Sequence, residues 1–193
     1  FHSIEWNQKK EQPLLSINTW RPEVVKKILP LGVDLLNDIG ALHSNDNAKS
    51  CADHGTALLI MHSIGLPKEP HLGEKYKDIV AEVNRFFEEK ICVSESAGLD
   101  RERIVLDPGI DFAKDRQDNL LLLKQLNALK IHGRPLLVPV SRKTVIGDVL
   151  KIEEPQDRDA GTVACSVTSI LRGASILRVH NVSATSKTIR TLE

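Results

Sequence analysis

Much of what this 193-residue chain lacks is informative. No apolar run approaches the roughly 18 residues a membrane-spanning helix needs, so no membrane association is expected. Lysine plus arginine number 26 and aspartate plus glutamate number 26, which leaves a formal net charge of zero. Without a basic block, nucleic acid is not an expected partner. The start, Phe1-His2-Ser3-Ile4-Glu5-Trp6, has no basic segment followed by an apolar one, so no secretory signal is read there. It also has no initiator Met, and an incomplete chain is expected. The three cysteines, Cys51, Cys92 and Cys165, are widely spaced and form no CxxC pair. They support neither a zinc site nor a disulfide framework, and they read as reduced thiols of a cytoplasmic protein. No GxGxxG or Walker-type glycine loop follows an apolar run, and no Gly-x-Ser-x-Gly elbow is present. His2, His43, His54, His71 and His132 are scattered, with no two at helical metal-ligand spacing.

What is present has the balance of a globular protein: 27% charged and 41% hydrophobic residues. The length suits one sizeable core, so a single domain over residues 1–193 is expected. Residues 1–13 are polar and without a period, suited to a helix remnant, a linker or a frayed end. Six units then repeat one grammar of short apolar run, polar end and helix. The runs are residues 14–17, 33–36, 57–61, 104–107, 136–140 and 175–179. Helices are predicted over about 21–29, 47–54, 75–97, 115–131, 144–150 and 161–171, with a last one from 185. Pro22 suits the first turn of the first helix, and Pro30 and Gly32 stop it. In 75–97 the residues Ile79, Val80, Val83, Phe86, Phe87 and Ile91 form one apolar stripe. The runs are apolar throughout rather than alternating, as in a parallel sheet covered on both faces. Helical crossovers are what parallel strands require. The class is α/β, and two architectures fit: an open doubly wound sheet or part of a (β/α)8 barrel. The missing glycine loops weaken the first, and six units would be three quarters of the second.

In either architecture the carboxyl ends of the strands share one mouth. Delivered there are Asn18, Asn37, Met61 with His62, Asp107, Ser141-Arg142-Lys143, and Arg178 with His180. Asn18, Asn37 and Asp107 suit the edge of a flat heterocycle rich in N–H and C=O groups. Arg142, Lys143, Arg178 and His180 suit an anion such as phosphate. Together they point to a heterocycle carrying a phosphate or diphosphate. Cations at a helix start are electrostatically unfavourable, so Arg142-Lys143 ahead of 144–150 favours a functional reason.

Several segments carry a family resemblance in matching order: Ser16-Ile17-Asn18-Thr19, Leu36-Asn37-Asp38-Ile39, Met61-His62-Ser63-Ile64-Gly65-Leu66-Pro67 and Leu106-Asp107-Pro108-Gly109-Ile110-Asp111-Phe112-Ala113-Lys114. Asn119, Ser141-Arg142-Lys143-Thr144-Val145-Ile146-Gly147, Arg158-Asp159-Ala160-Gly161-Thr162 and Arg178-Val179-His180-Asn181-Val182 continue it. The chain resembles dihydropteroate synthase, of the pterin-binding TIM-barrel family, over nearly its whole length. The resemblance implies a (β/α)8 TIM barrel of which this chain holds about six βα units, strands 3–8. The implied activity is a folate-biosynthesis transferase that joins 4-aminobenzoate to 7,8-dihydropterin-6-ylmethyl diphosphate and releases diphosphate. It implies Mg2+, with the family's Asn ligand in an N-terminal part outside this chain, and a homodimer. By the same resemblance Asp107, Asn37 and Lys143 would hold the pterin, with Ile39, Met61 and Phe112 along its faces. Arg178 and His180 would hold the diphosphate, and Ser141 with Lys143 would border the aminobenzoate channel. Lys143, Asp107 and Arg178 are the expected catalytic residues, with Asn18 and Arg142 among the substrate contacts.

Three departures from the resemblance matter. The first two strand units are not in this sequence. Asn18 stands where the resemblance implies Asp. Asp111 and Pro139 each stand where it implies Gly. They motivate an alternative, a catalytically impaired pterin-binding paralogue. A methyltetrahydrofolate-type methyltransferase is a further alternative, disfavoured because it needs neither Ser141-Arg142-Lys143 nor an anion clamp at Arg178 and His180.

Overall fold

A computed structural model describes residues 13–65 and 76–192. The expectations for residues 1–12, for the Pro67 loop and for a helix start at Lys75 lie outside these residues, as do His2 and His71. Strands and helices alternate, except that two helices stand between the last two strands. They are β1 (Ser16–Asn18), α1 (Pro22–Ile28), β2 (Leu35–Asp38), α2 (Asp46–His54), β3 (Ala57–Met61) and α3 (Ile79–Ser96). The second half holds β4 (Ile104–Asp107), α4 (Arg116–Lys124), β5 (Leu137–Val138), α5 (Thr144–Leu150), α6 (Asp159–Leu171), β6 (Ile176–Leu177) and α7 (Val182–Leu192).

Strands β1 to β4 form one parallel sheet in sequential order, and β5 pairs with β6 in parallel. A parallel bridge between Leu106 and Leu136 joins the two sheets. The course therefore runs β1 to β6 without reversing. A doubly wound sheet reverses its order at a switch point, whereas a barrel wall does not. The sequential course settles the choice left open by the sequence in favour of a barrel wall.

The continuous apolar strands divide their residues between two cores, because successive side chains leave a strand on opposite faces. Leu36, Leu58, Ile60, Ile104, Leu106 and Val138 pack outward against the helices, with Val83, Phe87, Ile91 and Leu122. Leu59, Met61, Val105 and Leu137 pack inward as a smaller cluster, joined by Leu35, Ile39 and Phe112. The last strand departs from the expectation of two covered faces. Ile176 of β6 is exposed, as an outer strand permits.

The helices also adjust the predicted bounds. Helix α3 begins at Ile79, because the Asp78 carboxylate accepts hydrogen bonds from the Val80 and Ala81 amides. The single helix expected over 115–131 is two pieces: α4 ends at Lys124, and a 3-10 stretch runs from Leu126 to His132. Buried Leu126 and Leu129 lie three residues apart, the repeat of a 3-10 turn. Asn84 of α3 ties that stretch down through Ala128 O and the His132 ring. Helix α7 starts at Val182, three residues before the expected Thr185. No helix of the described residues is long and apolar enough to cross a membrane.

Phe87 is fully buried, with its ring 6.0 Å from Phe86 and 5.8 Å from the His132 ring. Phe87→Ala is expected to cost about 3–5 kcal/mol in urea unfolding. A loss below about 1 kcal/mol would contradict the role given to the α3 stripe.

Candidate functional site

Strand β4 ends on Asp107, which is 0% exposed. Its Oδ1 accepts the Gly109 amide at 2.8 Å, closing a tight turn through Pro108. Gly109 has φ +67°, and a Cβ there would lie 1.9 Å from the His62 carbonyl oxygen, so no side chain fits. The second oxygen, Oδ2, is buried and accepts no hydrogen bond within the described residues. Burial raises the Asp107 carboxyl to about 6, against the Gly109 hydrogen bond and the charges of Arg178, Lys143 and Lys114. Asp38, equally buried at the end of β2, differs. Gly40 N–H reaches its Oδ1 at 2.7 Å and Asn47 Nδ2 reaches its Oδ2 at 2.8 Å. Asp38 is satisfied and braces a loop, whereas Asp107 keeps one acceptor free.

The neighbouring strands add to this face. Asn18 of β1 is in register with Asn37 of β2, and Asn37 with the inward-facing Leu59 of β3. Asn37 is 4% exposed, and its Oδ1 is a second buried acceptor without a partner. Buried polar atoms are nearly always hydrogen-bonded. Two acceptors left free at one strand-end face call for a ligand that brings N–H donors. Ile39, Met61 and Phe112 meet in the inner apolar cluster of the same wall.

The loop after Asp107 is held by Lys114. Its ammonium donates to Phe112 O at 2.9 Å and Gly109 O at 3.0 Å, and lies 2.8 Å from His62 Nδ1. Burial pulls Lys114 down to about 7, partly offset by Asp107. Burial and Lys114 push His62 down to about 2, so the ring is neutral and accepts from the ammonium. His62 packs edge-on against Phe86 of α3, 4.9 Å between centroids. It therefore belongs to the helix layer and not to the mouth where the sequence placed it. Met61 turns inward, so the next residue turns outward.

The other expected residues line a cleft of about 750 Å³ that includes Asn18, Asn37, Ser141, Arg142, Lys143, Arg178 and His180. Asp107, Ile39, Met61 and Phe112 do not reach its lining. Ser141 Oγ lies 2.9 Å from His180 Nδ1 and accepts the His180 amide at 3.2 Å, which ties the β5 loop to the β6 loop. Arg142 grips Asp159 with two hydrogen bonds, at 2.8 and 3.2 Å. Asn181 Nδ2 reaches the same carboxylate at 2.9 Å. These hydrogen bonds hold the Asp159 carboxyl down to about 2. The charge of Arg142 is thus already matched, and its part in the cleft is to shape the loop. Arg158 completes the brace by donating to the carbonyls of Arg142, Lys143, Ile152 and Glu153.

Two cations remain for a ligand. The Lys143 ammonium lies 4.4 Å from the centroid of the Phe112 ring. Burial lowers it, while Asp111 and Asp107 pull the other way. The exposed Arg178 guanidinium makes no hydrogen bond or ion pair among the described residues. Lys114, Arg158, Asp159 and Asn181 were given no role from the sequence, although all four sit in the segments that carry the resemblance. No group of three or more His, Cys, Asp or Glu among the described residues could hold a metal.

A profile of the family described as pterin binding enzyme matches residues 2–180. Dihydropteroate synthase of Escherichia coli strain K12 is 38% identical over 179 residues, which are 93% of this chain and 63% of that protein. Dihydropteroate synthase from Xanthomonas albilineans, solved in complex with 7,8-dihydropteroate, superposes with a TM-score of 0.85 at 37% identity. The match covers 93% of this chain and 65% of that one. The enzyme of that name from Stenotrophomonas maltophilia, with imidazole in its active site, gives 0.90 at 31% identity, covering 93% and 68%. The chain spans just under two thirds of the length of the curated relatives it matches.

The raised Asp107 carboxyl makes stability depend on pH. The folded chain holds that proton up to about 6 while an unfolded carboxyl releases it near 3.8, so its contribution is full below 3.8 and lost as pH rises through 6. Asp107→Asn has no such proton to lose. Measured without ligand, the variant is expected to gain on the unaltered protein by roughly 2 kcal/mol between pH 4 and pH 7. A stability difference that stays flat across that range would refute the assignment.

Proposed function

The chain belongs to the family of pterin binding enzymes, and on that premise we propose that it is a single pterin-binding domain with dihydropteroate synthase activity. The observation that carries this reading is the pair of buried, unpartnered acceptors, Asp107 Oδ2 and Asn37 Oδ1, beside two uncommitted cations. The N–H edge of a pterin supplies the donors those atoms require. The inner cluster of Met61, Ile39 and Phe112 offers apolar contact to a flat ring. The 7,8-dihydropteroate held by the Xanthomonas albilineans relative is the product this reading assigns.

The proposed reaction follows from that placement. Arg178, with His180 fixed by Ser141, holds the diphosphate, and Lys143 bridges toward the pterin. The aminobenzoate nitrogen attacks the pterin methylene carbon as the C–O bond to diphosphate breaks. A C–N bond forms, the amine loses a proton, and the leaving group departs with the bonding pair. Cations already in place stabilise that charge as it develops, without reorganisation. Holding both substrates at one strand-end mouth lowers the entropic part of the barrier. Among the described residues no group of side chains fits a magnesium site, and no step is assigned to a metal. A cytoplasmic location rests on the widely spaced cysteines without a CxxC pair, and a homodimer on the family resemblance.

Pro139 and Asp111 each have a local structural reason. Pro139 follows the last paired residue of β5, so the ladder does not need its missing N–H. Asp111 caps α5. Asn18 is different: it lines the cleft as a neutral amide where the resemblance implies a carboxylate. Measured turnover that does not rise on Asn18→Asp would favour the impaired-paralogue alternative.

The direct test is formation of dihydropteroate from the pterin diphosphate and 4-aminobenzoate by the purified protein with Mg2+ supplied. Binding of the pterin diphosphate without product would overturn the activity. Charge-assisted hydrogen bonds are worth about 1.5–3 kcal/mol. Asp107→Ala should therefore weaken every pterin ligand by roughly tenfold or more. Arg178→Ala should weaken the diphosphate-bearing pterin well beyond a pterin without diphosphate. Equal losses for both ligands would contradict the division of labour between the two ends of the site.

A further inference from the structure

The loop after β4 reaches the loop after β5 through Phe112, which lies under the Lys143 ammonium, and through Asp111. The Asp111 backbone is left-handed, φ +63°, a conformation that Asp tolerates better than most residues. Asn119 of α4 holds it there, its Oδ1 accepting the Asp111 amide at 2.8 Å. The Asp111 carboxylate accepts the Val145 amide, 3.3 Å to each oxygen, and the Thr144 amide also faces it. These are the first amides of α5, whose own N-cap position is Lys143. A lysine cannot fold back to cap a helix, and its charge opposes the positive end of the helix dipole. Asp111, 34 residues away in sequence, supplies both the missing acceptor and the missing negative charge. That leaves the Lys143 side chain free to extend over the Phe112 ring.

We infer that Asp111 is a positioning residue for Lys143: its carboxylate fixes the start of α5 and sets the charge and placement of the Lys143 ammonium in the cleft. The inference rests on the proposed reading of Lys143 as a substrate contact. The charged groups acting on Lys143 include Asp111, Asp107, Arg178 and Lys114, with the Phe112 ring under its ammonium. Of the two acids, Asp111 exerts the larger pull.

Two variants separate cap from charge. Asp111→Asn keeps an acceptor for the Val145 amide and removes the charge. Asp111→Gly removes both, and glycine suits the left-handed backbone, so the variant is expected to fold. The first readout needs no substrate: the NMR titration of 13C-dimethylated lysines in the ligand-free protein, with the Lys143 signal assigned by Lys143→Arg. Asp111→Asn should move the Lys143 midpoint down by about one pH unit. An unmoved midpoint would overturn the inference. The second readout is calorimetric affinity for the pterin diphosphate. Asp111→Gly should weaken it about tenfold, and by less than about twofold once Lys143 is already Ala, because residues acting through one another are not additive. Losses that simply multiply would show a general structural role and sink the proposal. If the unaltered protein fails to bind the pterin diphosphate while Asp111→Asn still moves Lys143, the proposed function falls and the coupling stands.

Discussion

A carboxylate kept out of water with one oxygen unsatisfied is a costly object, and much of this fold is arranged around keeping Asp107 in that condition. The strand that carries it is buried on both faces. The turn that follows satisfies one oxygen and cannot reach the other. Cations stand near enough to lower the cost of the charge, yet none among the described residues donates a hydrogen bond to it. Lys114, one of these cations, spends its donors on backbone carbonyls and the His62 ring. The site is thus rigid in its frame and unfilled in its valences, the condition under which a rigid donor edge can bind without first displacing internal partners.

The cleft above it is built on a different plan. There the loops after β5 and β6 are cross-braced by Ser141 with His180 and by Arg142 with Asp159 and Asn181. Of four candidate cationic groups, one is neutralised within the frame and one is orientated by a hydroxyl. Positive charge is therefore concentrated on Lys143 and Arg178 rather than spread over the mouth. Concentration favours a compact dianionic group over a diffuse acidic surface.

How much of this could be read beforehand depends on the reach of each interaction along the chain. Asp107, Asn37, Lys143 and Arg178 were legible because a buried strand announces its own end, and parallel topology sends all such ends to one place. The sequential strand course was compatible with the sequence but not fixed by it, since the linking bridge at Leu106 and Leu136 is a tertiary fact. The satisfied state of Asp38 and the free oxygen of Asp107 were not distinguishable, because each depends on what a loop does after the strand. The mates of Arg142 and Val145 lie 17 and 34 residues away, beyond any local pattern. His62 could have been placed correctly from its neighbour. Once Met61 faces inward, alternation alone sends the next side chain to the helices.

The contact between Gly109 and the His62 carbonyl bears on how such a site can change under selection. A ligand that leans on the Asp-Pro-Gly turn meets a surface with almost no mutational freedom, because any side chain at Gly109 collides with backbone. The anion end of the site is open: Arg178 is exposed, and its guanidinium makes no hydrogen bond or ion pair among the described residues. Escape from an inhibitor would therefore be concentrated at the anion end. A molecule that draws its affinity from the turn alone would leave such changes little to act on.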